Sequence, residues 1–192
     1  MINEALIQNI EDYLKTKFKP KSHRLKHIYN VKKVAVTLGN LYKVDIPSVV
    51  VASYLHDITK HETLEENRCL AGSLINEETP EPCYHAFAAA NVAKDLFGIK
   101  NQNILNAIKY HCSGRYNQSL LEKIIFVSDF IEEGRDFVSA DLRQLAITDL
   151  DMCIYKIMLQ TKAYITKNNQ EFSKLTQAAI NYYEKIYGGI ND

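Results

Sequence analysis

The chain predicts an all-α fold, and two observations carry that prediction. Apolar residues recur at intervals of three and four rather than in alternation, as in Leu6, Ile10, Tyr13 and Leu14, and again in Ile28, Val31, Ala35, Leu38 and Leu41. Between the periodic stretches stand residues that end or start helices: Pro20 with Ser22, Asp45 followed by Pro47, Gly98, Ser113-Gly114 and Ser119. At 192 residues, 46% of them hydrophobic and 24% charged, the composition is that of an ordinary globular protein. Such a chain can bury a core in one domain, residues 1–192, without staples.

In order, MINEALIQNIEDYLKTK is expected to form a first helix, and its interspersed acidic residues make it an expected part of the fold rather than a signal peptide or an anchor. Pro20 closes it, and Ser22 opens a second helix that carries His27. Asp45 caps a third, with Pro47 inside its first turn, and this helix runs to His56-Asp57. Residues 61–82 are polar and hold Pro80 and Pro82, giving a short helix and a loop. A helix from Tyr84 to Phe97, stopped by Gly98, carries His85 in its first turn. Another, from about Gln102 to Cys112, carries His111 in its last turn, and one from Ser119 to Glu132 carries Asp129. From Ser139 a short helix, then Asp149 to Lys167 and Glu171 to Tyr187, serve packing, and the Gly188-Gly189 tail frays.

Charge and cysteine usage narrow the function classes. Lys plus Arg (23) balance Asp plus Glu (23), so no overall positive field gathers nucleic acid or an anionic membrane. No apolar stretch approaches the roughly 18 residues of a membrane helix. Cys69, Cys83, Cys112 and Cys153 form no C-x-x-C pair and lie far apart along the chain, as free thiols of a reducing compartment do; the cytoplasm is the expected location. The alternating Lys15, Lys17, Lys19 and Lys21 span a helix end and a Pro turn, so they are expected to be a solvated linker.

The chemistry concentrates in His27, His56-Asp57, His85, His111 and Asp129, each expected on a helix and four of them near a helix end. A lone helix-borne histidine is more often a hydrogen-bonded core or surface residue than a ligand. Six such residues turned toward one interior need partners or a metal, and the set is large enough for two ions. A histidine gives one nitrogen per metal whereas a carboxylate has two oxygens, so Asp57 is the expected bridge and the central catalytic residue. Ions held about 3.5–4 Å apart clamp the attacking and leaving oxygens of a phosphoryl displacement. Lys60, Arg115 and Arg135 follow the His-Asp pair, His111 and Asp129 closely enough to border such a site, the arginines as phosphate forks and Lys60 as a point charge that is also expected to be catalytic, neutralising the leaving oxygen. Glu132, on nearly the face of Asp129, joins this substrate-facing group, its expected work being to orient a ligand, Arg135 or a water. His23 is expected to be exposed, and the twelve tyrosines to be core and boundary residues, with Tyr182, Tyr183 and Tyr187 allowing a homodimer face.

RLKH (24–27), YLHDITK (54–60), YHAFAAANVAKDLFGI (84–99), AIKYHCSGR (107–115) and LLEKIIFVSDFIEEGRDF (120–137), with LRQLAITDLD (142–151), resemble the HD-domain metal phosphohydrolases, specifically the YqeK-like symmetrical diadenosine tetraphosphate hydrolases. The resemblance spans nearly the whole chain. It implies an HD-domain helical bundle, with its core at about residues 22–137 and a dinuclear metal site inside. One metal would be held by His27, His56, Asp57 and Asp129, the other by Asp57, His85 and His111. Iron is the metal the resemblance implies; nitrogen and oxygen ligands without thiolate also suit manganese and do not exclude cobalt or zinc. Arg24 joins the substrate-facing residues through the same match. The implied activity splits diadenosine tetraphosphate into two ADP, with a small nucleotide as partner. The rival readings are an HD hydrolase of a nucleoside monophosphate or cyclic dinucleotide, and a non-catalytic helical metal-binding module. Cys112, Ser128, Glu133 and Gln118 depart from the expected Thr, Ala, Pro and Met, and none removes a ligand.

Overall fold

The computed structural model describes residues 2–169 and 172–187, and among these the regular structure is helical throughout. The helices are α1 (Glu4–Lys17), α2 (Ser22–Leu41), α3 (Ile46–Leu55), α4 (Leu64–Ala71), α5 (Tyr84–Phe97), α6 (Gln102–Tyr110), α7 (Leu120–Ile131), α8 (Ala140–Thr148), α9 (Leu150–Lys167) and α10 (Lys174–Tyr187), with 3-10 turns at Gly72–Leu74 and Glu81–Cys83. Their starts follow the side chains available to cap them. Asp45 accepts from the Ser48 N–H at 3.0 Å, and Ser119 and Glu122 form a reciprocal capping box at the head of α7. Gly98 ends α5 in the left-handed conformation, φ 65°.

Several boundaries differ from the sequence expectation. Helix α3 stops at Leu55 rather than at His56-Asp57, and α7 at Ile131 rather than Glu132. Helix α6 stops at Tyr110 rather than Cys112, where the Ile108 carbonyl accepts from the His111 ring and the Tyr110 carbonyl from the Gly114 N–H. The last helix begins at Lys174, where the Ser173 hydroxyl accepts from the Thr176 N–H. The expected start at Glu171 and the Gly188-Gly189 tail lie outside the described residues.

Helix α3 is buried on almost every face, so it is apolar all round rather than amphipathic. It packs against α1, α2, α5, α6 and α7, and α2 and α6 lie in turn against α7. The N-terminal half of α2, the end of α3, the start of α5 and the ends of α6 and α7 carry the candidate ligands. Helix α9 covers α7 on its far side and carries α8 and α10 against it. Tyr155, Tyr183 and Tyr187 stack there at centroid distances of 6.2–6.4 Å, as packing residues. The four cysteines are free thiols, as expected, but distance along the chain misleads: the Cys83 and Cys112 sulfurs lie 3.4 Å apart. No helix is long and apolar enough to cross a membrane.

Candidate active site

Two of the candidate ligands share one local device. His56 and His111 each stand immediately after a helix, at the ends of α3 and α6. The last carbonyls of a helix have no partner within it. The Nδ1–H of His56 donates to the Ser53 carbonyl at 2.7 Å, and that of His111 to the Ile108 carbonyl at 2.8 Å. This bond fixes the tautomer and turns each Nε2 inward, the orientation a metal-binding imidazole needs. Not every candidate ligand lies on a helix: His56, Asp57 and His111 occupy turns just beyond helix ends. A helix end lets neighbouring side chains lean the same way, as a 100° helical step would not.

The turn after His111 needs glycine at 114, where φ is 62°, and a Cβ there would also displace the Met158 methyl, 2.5 Å away.

Asp57 is 3% exposed and lies at the centre. Its Oδ2 faces His27 and His56, with Nε2 atoms at 3.6 and 3.7 Å, and its Oδ1 faces His85 and His111, at 3.4 and 3.5 Å. Asp129 joins the first group, its Oδ1 at 3.1 Å from His27 Nε2 and 3.9 Å from His56 Nε2. All six residues predicted from the sequence therefore converge, as two groups sharing one carboxylate. Asp129 occupies the last turn of α7, where the helix dipole disfavours a negative charge, so its place is set by its neighbours and not by the helix.

Their protonation states suit cation binding. Burial lowers the His56 pKa to about 4 despite Asp57 beside it, leaving a neutral ring at neutral pH. Burial also lowers His85, whereas in His111 it is outweighed by the contact with Asp57, which raises the pKa. Burial would raise Asp57, but His56, His111 and His85 hold its carboxyl well below the usual range; the rings of His27 and His56 do the same for Asp129. The Nε2 atoms of His27 and His56 are buried without a hydrogen-bond partner among the described residues. Unpartnered ring nitrogens facing carboxylates that stay ionised fit divalent cations, and one donor atom each from His27, His56 and Asp129, and from His56, Asp57 and His111, lie within 4.8 Å of one another.

The surrounding residues divide. Arg24 pairs with Asp57 Oδ2, the Lys60 ammonium lies 3.2 Å from the His85 ring, and Arg135 reaches Asp129 Oδ1 at 3.1 Å. The contacts of Arg115 are elsewhere: its guanidinium forks onto buried Glu122 at 2.6 and 2.7 Å and stacks on Tyr110. Its closeness to His111 in sequence is undone by the Gly114 turn, which redirects the chain between them. Glu132, too, has its oxygens engaged. It is 4% exposed, meets His27 Nδ1 at 3.2 Å, and accepts from Asn30 at 2.8 Å and the Gly134 N–H at 2.6 Å.

His23 is exposed, as expected, and packs edge-on against His61, a residue the sequence did not single out. Asn30 and Arg143 also escaped notice. Arg143 donates to the carbonyls of Ile131, Glu132, Arg135 and Val138, fastening the loop after α7. Lys17 is not a solvated linker residue, since it pairs with Glu62. A cavity of about 650 Å³ opens beside the cluster, bordered by His111, Asp129 and Arg135. Another of about 660 Å³, bordered by Asp45, Lys100 and Asn101, touches none of the cluster residues.

Comparison with known proteins agrees with this geometry. The HD domain family matches residues 24–134, a span that holds all six cluster residues. The chain is 33% identical over 164 residues to the symmetrical bis(5'-nucleosyl)-tetraphosphatase of Halalkalibacterium halodurans, covering 83% of this chain and 88% of that protein. It is 32% identical to the Bacillus subtilis protein of the same name, covering 77% and 82%. A Clostridium acetobutylicum crystal structure, described as a predicted HD superfamily hydrolase involved in NAD metabolism, superposes with a TM-score of 0.87 at 31% identity, over 93% of this chain and 97% of that one. On the shared motif span, the similarity along nearly the full length and the common fold, the chain belongs to the HD-domain family and, within it, to the symmetrical bis(5'-nucleosyl)-tetraphosphatases.

Proposed function

We propose that the protein is a metal-dependent phosphohydrolase that cleaves diadenosine tetraphosphate symmetrically, consuming one water and releasing two ADP. The observation that carries the reading is the division of Asp57, whose two oxygens face separate histidine pairs. A carboxylate placed so is built to hold two cations side by side. His27, His56, Asp57 and Asp129 would hold one, and Asp57, His85 and His111 the other, within a single domain that spans the chain. Iron is the metal we assign, from the resemblance of the motifs; manganese, cobalt and zinc suit the same donors. Bound in this way, the ions supply Lewis acidity toward the phosphates and lower the pKa of a coordinated water toward about 7.

The residues of the chain do the rest. Glu132 holds the His27 ring in its ligating orientation. Arg24 and Arg135 flank the cluster from α2 and from the loop after α7, and Lys60 stands at the rim on His85. These three cations suit the charge of a tetraphosphate chain laid across the cluster. The substrate is thus a small nucleotide, and the cytoplasm, which keeps four free thiols reduced, is the location we assign.

Incubation of the metal-loaded protein with diadenosine tetraphosphate, resolved by chromatography, should yield ADP alone. Equal amounts of ATP and AMP would show asymmetric attack and end this reading. The Asp57→Ala variant should lose turnover together with both equivalents of metal.

A further inference from the structure

The cavity beside the cluster has a wall that phosphate chemistry leaves unused. Its volume, about 650 Å³, falls in the range of small-ligand sites, about 300–1,000 Å³. At its buried end are His111 and Asp129; at its exposed rim are two aromatic rings, Phe137 and Tyr164, 67% and 66% exposed. Phe137 comes from the loop after α7 and rests edge-on against Phe130, 5.5 Å between centroids. Tyr164 comes from α9, one turn beyond Gln160, so both project from one face of that helix. Gln160 and its neighbour Thr161 line the same cavity and make no side-chain hydrogen bond among the described residues.

Charge orders this space. Asp129 and Arg135, both at the cluster end, are its only lining residues with a formal charge besides the histidine, and the remainder is apolar, aromatic or neutral polar. A ligand that fits is anionic at one end and flat, uncharged and hydrogen-bonding at the other. Exposed aromatic rings give a nucleobase a stacking surface, and neutral amide and hydroxyl groups can read its edge. The loop that carries Phe137 is held by the Arg143 bonds to Arg135 and Val138, so the platform is formed before the ligand arrives.

From this we infer that the cavity receives one nucleoside of the dinucleotide, its base stacked on Phe137 and Tyr164 and its edge met by Gln160 and Thr161. The inference rests on the diadenosine tetraphosphate reading, and its test separates the two. Phe137→Ala, Tyr164→Ala and Tyr164→Phe are compared with the wild type by calorimetric binding of ADP and by steady-state hydrolysis of diadenosine tetraphosphate. Both rings are largely exposed, so their truncation leaves the core intact.

Each alanine variant should weaken ADP binding and raise KM about tenfold, which is ~1.4 kcal/mol, with kcat within about twofold, because stacking holds ground state and transition state alike. Tyr164→Phe should bind ADP more tightly than Tyr164→Ala, since the ring and not the hydroxyl makes the stack. Alanine variants that bind ADP as tightly as the wild type, or a wild type that does not bind ADP, would overturn the inference. A wild type that binds ADP through these rings yet leaves diadenosine tetraphosphate intact would support the nucleoside site and overturn the assigned reaction.

Discussion

Asp57 and Glu132 show how much one carboxylate's neighbours decide. Asp57 shares its oxygens between two histidine groups, while Glu132, equally buried, has both oxygens engaged by His27, Asn30 and Gly134. A residue that orients a metal-binding ring is worth about 10–100-fold in metal affinity or activity. Glu132→Gln should therefore lower kcat/KM by that factor with the fold retained, and metal titration should show the weaker site to be the one served by His27; unchanged affinity would sever Glu132 from the site. Gln118 gives a prediction of the opposite sign. It is 5% exposed, and neither its amide oxygen nor its nitrogen has a partner among the described residues. A buried unsatisfied polar group costs about 1–3 kcal/mol, so Gln118→Met, which keeps the length and removes the polar atoms, should raise the melting temperature; a fall would mean that the amide is satisfied in solution. The six cluster residues were legible because histidine and aspartate in that order and motif context have few other uses. The contacts of Arg115 and Glu132 were not, because the partner of a long side chain depends on how the chain turns around it, and nothing in the residues around His61 or Asn30 announces their contacts.

Helices were legible where a side chain or a glycine ends them. Asp45, Ser119 and Gly98 each act within five residues of their own position, so local chemistry determines the boundary. Helix α6 was overrun by two residues because its terminator is an imidazole, a cap that propensity rules do not anticipate. Helix α9 was read as packing alone, yet its outer turns line the cavity beside the cluster, a role that depends on where α7 places its neighbour. At this scale α1 is fastened to α2 and α3 through Glu11, which accepts from Tyr29 and Tyr54 at 3.1 Å and pairs with Lys15. Burial opposes ionisation of Glu11, but the bonds from Lys15, Tyr54 and Tyr29 outweigh it and lower the pKa below its ordinary 4.5. Because the folded value lies below the unfolded one, the tether contributes fully above that pH and is lost as the pH falls through the folded value. The wild type should lose stability on going from about pH 7 to about pH 3 more steeply than Glu11→Gln, as followed by thermal melts; parallel losses would show that the tether carries no charge-dependent stability.

For the molecule as a whole, the cluster draws on α2, α5, α7 and the turns that end α3 and α6. Ligands from so many elements come together only in the folded chain, so cation binding is coupled to folding. A ligand present at a thousandfold its dissociation constant stabilises by about 4 kcal/mol. Treatment with a chelator should accordingly lower the melting temperature by many degrees, and readdition of metal should restore it. If elemental analysis shows the ions gone while the melt is unmoved, they are not bound by the folded cluster. The fold class was plain from periodicity, and residue type and order grouped the six residues, but spacing along helices gives no distance between them, so their division about Asp57 came from the structure.

Gly114 and Met158 occupy one space between them, with a backbone at 114 that L side chains rarely adopt. Over evolutionary time glycine should persist at 114 whatever 158 becomes, because the constraint lies in the backbone and the Met158 methyl can move aside. A lineage that abandons glycine there has to remodel the turn after α6, and reconstructed ancestors should show the two changes together.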